Sequence, residues 1–181
     1  MANNIKIGIT GLPGSGKTYV LQKVIEMLED SGLTIGGMIS DPIGDGRYKT
    51  GCSVRDLVTG DSEIFASRDI ESRIVVEKLG VDIESLEKIG VNAIKRASET
   101  CDVIVIDEVG KLEVESPGFV AAVKEALEVG KPMILTIHKK SRNPLLQDIR
   151  RRDDMRILEV TPTNRNLLPY KIIRLMNGEK V

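Results

Sequence analysis

The sequence has few of the residues that build disulfide frameworks, zinc sites and aromatic surfaces. Its 181 residues include two cysteines, one histidine, two phenylalanines, three tyrosines and no tryptophan. Cys52 and Cys101 lie far apart and outside any C-x-x-C pattern. This spacing argues against a disulfide scaffold or a zinc site, so the cytoplasm is the expected compartment.

A strong net charge and long apolar runs are also lacking. The net charge is −1, which gives no electrostatic footprint for nucleic acid or for a membrane surface. No apolar run approaches the roughly 18 to 20 residues of a membrane span, and the first apolar run begins near Ile5, so we expect neither a membrane segment nor a signal peptide. With 41% hydrophobic and 29% charged residues, the chain is expected to form a single globular domain over residues 1–181.

The most specific motif is a complete G-x-x-x-x-G-K-S/T phosphate-binding loop. A short apolar run at 5–9 precedes it and apolar residues at helical spacing follow it, which is the strand–loop–helix context that the motif requires. Its residues are Gly11, Leu12, Pro13, Gly14, Ser15, Gly16, Lys17 and Thr18. The loop amides and the helix N-terminus attract phosphate, Lys17 can reach the β- and γ-phosphates, and the Thr18 hydroxyl can ligate Mg²⁺. The sequence therefore predicts a nucleoside-triphosphate site.

Alternating strand and helix patterns predict an α/β fold with a mainly parallel, doubly wound sheet. We expect helices over 83–100, from Pro117 to about 129, and over 166–176, with strands over 33–40, 102–108, 132–137 and 156–160. Between residues 41 and 66, four glycines separate short strand-like pieces, a pattern typical of antiparallel hairpins. This region is predicted to be a β-rich insertion.

The run Asp102–Glu108 ends a buried strand in two carboxylates. Because ligands bind at the carboxyl ends of parallel strands, these acids are expected beside the phosphate loop. We assign Asp107 to the Mg²⁺ ion, and Glu108 to the water that attacks the γ-phosphate. A further strand, over 131–137, is expected between this strand and the first one. At its end, Thr136 or His138 could sense the γ-phosphate or position the water, although each could equally serve as an ordinary turn residue.

The segment from Val105 to Glu113 (V-I-D-E-V-G-K-L-E), with Ser116 and Phe119 after it, closely resembles a segment of the THEP-type nucleoside-triphosphatases, also called cancer-related nucleoside-triphosphatases. Further matches in the same order cover nearly the whole chain. The resemblance implies a RecA-like P-loop NTPase fold and Mg²⁺-dependent hydrolysis of ATP, GTP and other triphosphates. It also implies that the phosphate loop and a second stretch line the nucleotide, namely Val103, Ile104, Val105, Ile106, Asp107, Glu108, Val109 and Gly110.

Three further residues have two interpretations each. Lys111 could neutralise charge on the phosphates, as the resemblance suggests, or cover the surface beside Glu113. Asn164 and Arg165 precede the last helix and could approach the base or ribose, or simply start that helix. The small number of aromatic residues leaves little to stack on a base, which suits loose base specificity.

The chain departs from the family pattern in two places. Residues 37–44 lack the family's aromatic residue and its Glu-Val-Arg, and residues 49–52 replace an Arg-x-Gly-Phe. Turnover and base preference are therefore open at these positions. Two other functions also remain open: a nucleotide or small-molecule kinase with residues 139–152 as its lid, and a nucleotide-gated module that acts on a partner.

Overall fold

A computed structural model describes residues 4–45 and 48–181. Within them, nine strands form one sheet in the order β5-β6-β4-β3-β2-β7-β8-β1-β9. The strands are β1 (Lys6–Thr10), β2 (Ile35–Ile43), β3 (Gly51–Asp56), β4 (Ser62–Ser67), β5 (Val75–Val76), β6 (Leu79–Val81), β7 (Val103–Val109), β8 (Met133–Ile137) and β9 (Met155–Glu159). The helices are α1 (Lys17–Asp30), α2 (Ile83–Leu86), α3 (Asn92–Thr100), α4 (Pro117–Leu127), α5 (Pro144–Arg151) and α6 (Leu168–Met176). None of these helices combines the length and the apolar character that a membrane crossing needs.

The sheet is parallel in its centre and antiparallel at one side. β2, β7, β8, β1 and β9 pair in parallel, and β8 lies between β7 and β1, as the sequence predicted. The parallel pairing brings the carboxyl ends of β1 and β7 to the same edge of the sheet. The strands β3, β4, β5 and β6 extend it in antiparallel fashion. The hairpins expected over 41–66 belong to this extension, except that Gly46 lies outside the described residues.

Helices cover both faces of the parallel part, and β7 shows why. Its side chains alternate between two buried clusters: Val103 and Val105 pack with α1 and α6, whereas Ile104 and Ile106 pack with α3, α4 and α5. A strand that is apolar on both faces can be buried only between two helical layers. The predicted α/β class and the helices on both faces are thus confirmed.

Local sequence signals set several element boundaries. The Ser116 hydroxyl accepts a hydrogen bond from the Phe119 amide, with Pro117 at the first position of α4, which is a favourable start for a helix. The helix predicted over 83–100 is present, but a π-helical turn at Glu87–Val91 divides it into α2 and α3. Gly37 in β2 has φ +122°, and a Cβ atom there would lie 1.8 Å from the Val105 carbonyl oxygen. Only glycine therefore permits the close approach of β2 to β7.

Candidate active site

The phosphate loop connects β1 to α1 and curls back over the end of the sheet. Gly14 and Gly16 have φ values of +77° and +109°, a left-handed backbone that glycine adopts without strain. Thr18 is exposed in the first turn of α1, and the Lys17 side chain is only 19% exposed. The buried Ser15 hydroxyl has no hydrogen-bond partner in the structure. The loop therefore presents a lysine and an amide-rich turn at the sheet edge where β7 also ends.

The acidic pair at the end of β7 faces this loop. Lys17 Nζ lies 3.7 Å from Glu108 Oε2, and the Glu108 side chain is 28% exposed. The structure thus brings together the lysine and the glutamate that sequence reasoning assigned to the same reaction. Two distant segments meet here because β1 and β7 run parallel, with β8 between them.

Asp107 is much more deeply buried than Glu108. Burial raises the pKa of its carboxyl to about 6, while the Thr136 hydroxyl, which donates a hydrogen bond of 2.5 Å to Asp107 Oδ1, acts in the opposite direction. The Lys17 charge also favours the carboxylate form. Thr136 therefore fixes the orientation of Asp107, and its role as a separate γ-phosphate sensor stays a prediction.

These donors suit a magnesium ion shared with phosphates. Mg²⁺ prefers hard oxygen ligands and commonly takes one or two from protein and the rest from phosphates and water. Asp107 offers a buried carboxylate, and Thr18 offers a hydroxyl at the start of α1. Across residues 4–45 and 48–181, no cluster of three or more His, Cys, Asp or Glu side chains forms a complete metal cage. The arrangement thus fits an ion that arrives with the nucleotide.

A second buried carboxyl, Glu113, lies beside the acidic pair. It accepts a hydrogen bond of 2.9 Å from the Ser40 hydroxyl, and burial raises its pKa to about 7. A Cβ atom on Gly110 would lie 2.8 Å from Glu108 Oε1 and 2.9 Å from Glu113 Oε2, so the two carboxyl groups flank this glycine. Sequence reasoning cited Glu113 only as part of a family segment. Its burial could not be read from an exposed-looking Lys-Leu-Glu turn.

A cavity of about 490 Å³ opens between the phosphate loop and the ends of β7 and β8. Its lining residues are Gly11, Leu12, Pro13, Lys17, Lys49, Glu77, Glu108, Lys111, Leu112, Glu113, His138, Lys139 and Lys140. Leu12, Pro13 and Lys111, which the sequence assigned to the nucleotide site, line this cavity, and so do Lys49 and Glu77, which were not among the predicted site residues. Lys111 forms an ion pair of 2.9 Å with Glu77 across this space. His138 lies at the cavity wall, and burial lowers its pKa.

Part of the predicted contact set lies elsewhere. The side chains of Val103, Ile104, Val105 and Ile106 are fully buried in the two cores, and Val109 joins one of them. Because the apolar side chains of a central strand pack against helices, only the end of β7 is free to face a ligand. The side chains of these five residues therefore belong to the core, and contact of this part of the stretch with the nucleotide stays a prediction.

The loop after β9 has a structural role that the sequence left open. The Asn164 side chain accepts a hydrogen bond from the Thr161 amide and donates one to the Glu159 carbonyl, both 2.8 Å long. These bonds fix the loop. Arg165 lies against the phosphate loop, since a Cβ atom on Gly16 would be 3.0 Å from its Cδ atom.

Two of the four arginines in the segment 139–152, Arg150 and Arg152, bind neighbouring groups of the fold. Arg150 donates to the carbonyls of Ser141 and His138, at 2.8 and 2.6 Å. Arg152 pairs with Asp154 and Glu128. These guanidinium groups therefore stabilise the loop and helix around α5, and a lid over residues 139–152 stays a prediction.

Comparison with known proteins agrees with this geometry. A family model described as NTPase matches residues 6–173. Among curated relatives, the nucleoside-triphosphatase THEP1 of Thermoplasma volcanium is 42% identical over 97% of this chain and 99% of its own length. That of Methanosarcina barkeri is 43% identical over 93% of this chain and 95% of its own. The chain belongs to the THEP1 family of nucleoside-triphosphatases.

Solved structures of this family share the fold. The crystal structure of THEP1 from Aquifex aeolicus superimposes with a TM-score of 0.83 at 29% identity, covering 95% of this chain and 99% of that one. The solution structure of a human cancer-related nucleoside triphosphatase gives a TM-score of 0.80 at 29% identity, covering 98% of this chain and all of that one. The P-loop fold and the family resemblance predicted from sequence are confirmed. This THEP1-family chain is a nucleoside-triphosphate hydrolase.

Proposed function

We propose that this chain hydrolyses the β–γ phosphoanhydride bond of nucleoside triphosphates, ATP and GTP among them, with Mg²⁺ and with little discrimination between bases. The observation that carries the proposal is the convergence of Lys17 and Glu108, whose charged atoms lie 3.7 Å apart at the mouth of the phosphate loop. A lysine that binds the terminal phosphate and a carboxylate directed at the same space are the two groups needed for attack by water.

Each residue has a defined part in this reaction. Lys17 and the loop amides bind the terminal phosphates, and Glu108 orients a water molecule and accepts its proton as the water oxygen bonds to the γ-phosphorus and the bond to the bridging oxygen breaks. Asp107, held by Thr136, and the Thr18 hydroxyl would hold Mg²⁺. When bound, this ion neutralises charge on the β- and γ-phosphate oxygens. Partial burial of Lys17 and Glu108 strengthens their electrostatic effect relative to bulk water.

Loose base specificity is supported by what surrounds the start of α1. Arg165 lies over Gly16 and offers a flexible cation for the ribose, the α-phosphate or any base face. The Asn164 side chain forms hydrogen bonds with the backbone, so its role is to hold this loop in shape. Specific readout of a base requires fixed hydrogen-bonding groups, and a single long cation does not supply them.

The test is phosphate release from a panel of triphosphates, with Mg²⁺ and with the ion removed by a chelator, beside the Glu108→Gln variant. We expect similar rates across bases, loss of activity without Mg²⁺, and a loss of about 10²- to 10⁴-fold in the variant, which keeps its affinity for triphosphate. Glu115→Gln, an exposed position in the following turn, is the matched control and should retain full activity. Undiminished hydrolysis by Glu108→Gln would refute the base assignment. Phosphate transfer to an acceptor in preference to water would favour a kinase instead.

A further inference from the structure

A carboxylate from the antiparallel extension, Glu77, lines the same cavity as Glu108. Glu77 and Lys78 form the two-residue turn between β5 and β6, with φ values of +49° and +70°. Glu77 Oε1 lies 2.9 Å from Lys111 Nζ, and both residues line the cavity that holds Lys17. The hydrolytic mechanism proposed above has no use for an acid at this position.

Several cationic or hydrogen-bonding groups surround this carboxylate. The pKa of the Glu77 carboxyl is lowered, chiefly by the hydrogen bond from Lys111. Partial burial acts in the opposite direction, and the positive charges of Lys111, Lys49 and His138 lower the pKa further. His138 Nδ1 accepts a hydrogen bond from the Lys140 amide, so a neutral imidazole carries its proton on Nε2 and is a donor there. Two lysines and an imidazole donor are the groups that recognise a tetrahedral oxyanion.

The ion pair between Glu77 and Lys111 is weak enough to be replaced by a stronger anion. Glu77 shares the cavity with Glu108 and Glu113, but it is the one that pairs with Lys111. This ion pair is open to solvent, with side chains 47% and 67% exposed for Lys111 and Glu77. Pairs this exposed are weak and easily exchanged. A dianion placed between the same two lysines would interact with each of them more strongly than one carboxylate does.

We propose that Lys49, Lys111 and His138 form a second oxyanion site for inorganic phosphate, which Glu77 occupies when phosphate is absent. The site shares a cavity with the phosphate loop, and on this proposal it lies beyond the γ-phosphate. It then receives the phosphate that hydrolysis releases, and this part of the proposal rests on the proposed function. Glu77 then acts as a competitor that returns to Lys111 as phosphate leaves.

The test is calorimetric titration of inorganic phosphate into the chain saturated with Mg²⁺ and a non-hydrolysable triphosphate, which fills the γ-phosphate position. We expect one phosphate to bind. Glu77→Gln, which removes the internal competitor, should tighten binding about two- to fivefold, the range that a weak exposed pair allows. Lys49→Gln should weaken it about threefold or more. Glu63→Gln, which removes an exposed carboxylate paired with Lys88 outside the cavity, should leave it unchanged.

The outcomes separate this proposal from the hydrolysis itself. If the triphosphate does not bind, the proposed function fails, and the same titrations are then made without nucleotide in a Lys17→Ala background, which reports the second site alone. Loss of phosphate binding whenever the γ-position is filled would overturn the second site. So would equal affinities in the Glu77→Gln, Lys49→Gln and Glu63→Gln variants in either background.

Discussion

Replacing Gly110 by alanine should lower the activity with only a small change in stability. The new Cβ atom would lie 2.8 Å from Glu108 Cγ and Oε1, where ordinary contact begins near 3.4 Å. The obstacles are side chains rather than backbone: the partly exposed Glu108, and the buried Glu113, whose Oε2 would lie 2.9 Å from the new atom. The Glu108 side chain can retreat by about 0.6 Å, and Glu113 by about 0.5 Å, without a shift of the backbone. Because a displacement of about 1 Å at a reacting group can cost about 10²-fold, we expect kcat to fall about tenfold or more. The melting temperature should change by only a few degrees.

The assay is steady-state phosphate release beside thermal unfolding, with Gly118→Ala as the control. A Cβ atom at position 118 would lie 2.5 Å from Glu87 Oε1, a comparable clash with a glutamate that does not line the cavity. Wild-type kcat in Gly110→Ala would refute the reasoning. An equal loss of activity in Gly118→Ala would show that the effect is not specific to Glu108.

Other substitutions test the fold and the buried acid. Gly37→Ala places a Cβ atom 1.8 Å from the Val105 carbonyl oxygen, in a residue with φ +122°. Chemical denaturation should show that the free energy of unfolding falls by at least about 3 kcal/mol. A decrease below about 1 kcal/mol would contradict this packing. The pKa of Glu113 rises on folding from 4.5 to about 7, so its contribution to stability is full below pH 4.5 and is lost as the pH rises to 7. Glu113→Gln should therefore be more stable than the wild type at pH 8, by up to about 3 kcal/mol, and similar to it at pH 4. Equal stability differences at both pH values would show that Glu113 is not buried as an acid.

The strands and helices could be predicted from the sequence where local patterns are strong. The phosphate loop and the acid-terminated strand identify the parallel core for two reasons. Strands buried on both faces have continuous apolar sequences. Ligands bind at the carboxyl ends of parallel strands. The position of β8 between β7 and β1 followed from the same class of fold. The Ser116 cap and Pro117 likewise marked the start of α4 correctly.

The cavity side chains were harder to predict because they depend on tertiary placement. Glu77 reaches the site because β5 and β6 form a short hairpin at the far end of the antiparallel extension, and no element was predicted between residues 66 and 83. The two stretches that depart from the family pattern supply Ser40, which holds Glu113, and Lys49, which lines the cavity. Sequence reasoning identified where this chain differs from its family but could not show that both differences fall at one site.

The most direct measurement is a crystal structure with Mg²⁺ and a non-hydrolysable triphosphate. The account predicts the terminal phosphate against Lys17, the metal between that phosphate and the oxygens of Asp107 and Thr18, and the Glu108 carboxylate facing the γ-phosphorus through a water molecule. A nucleotide whose phosphates lie away from Lys17, or a metal bound without Asp107 or its water shell, would contradict it.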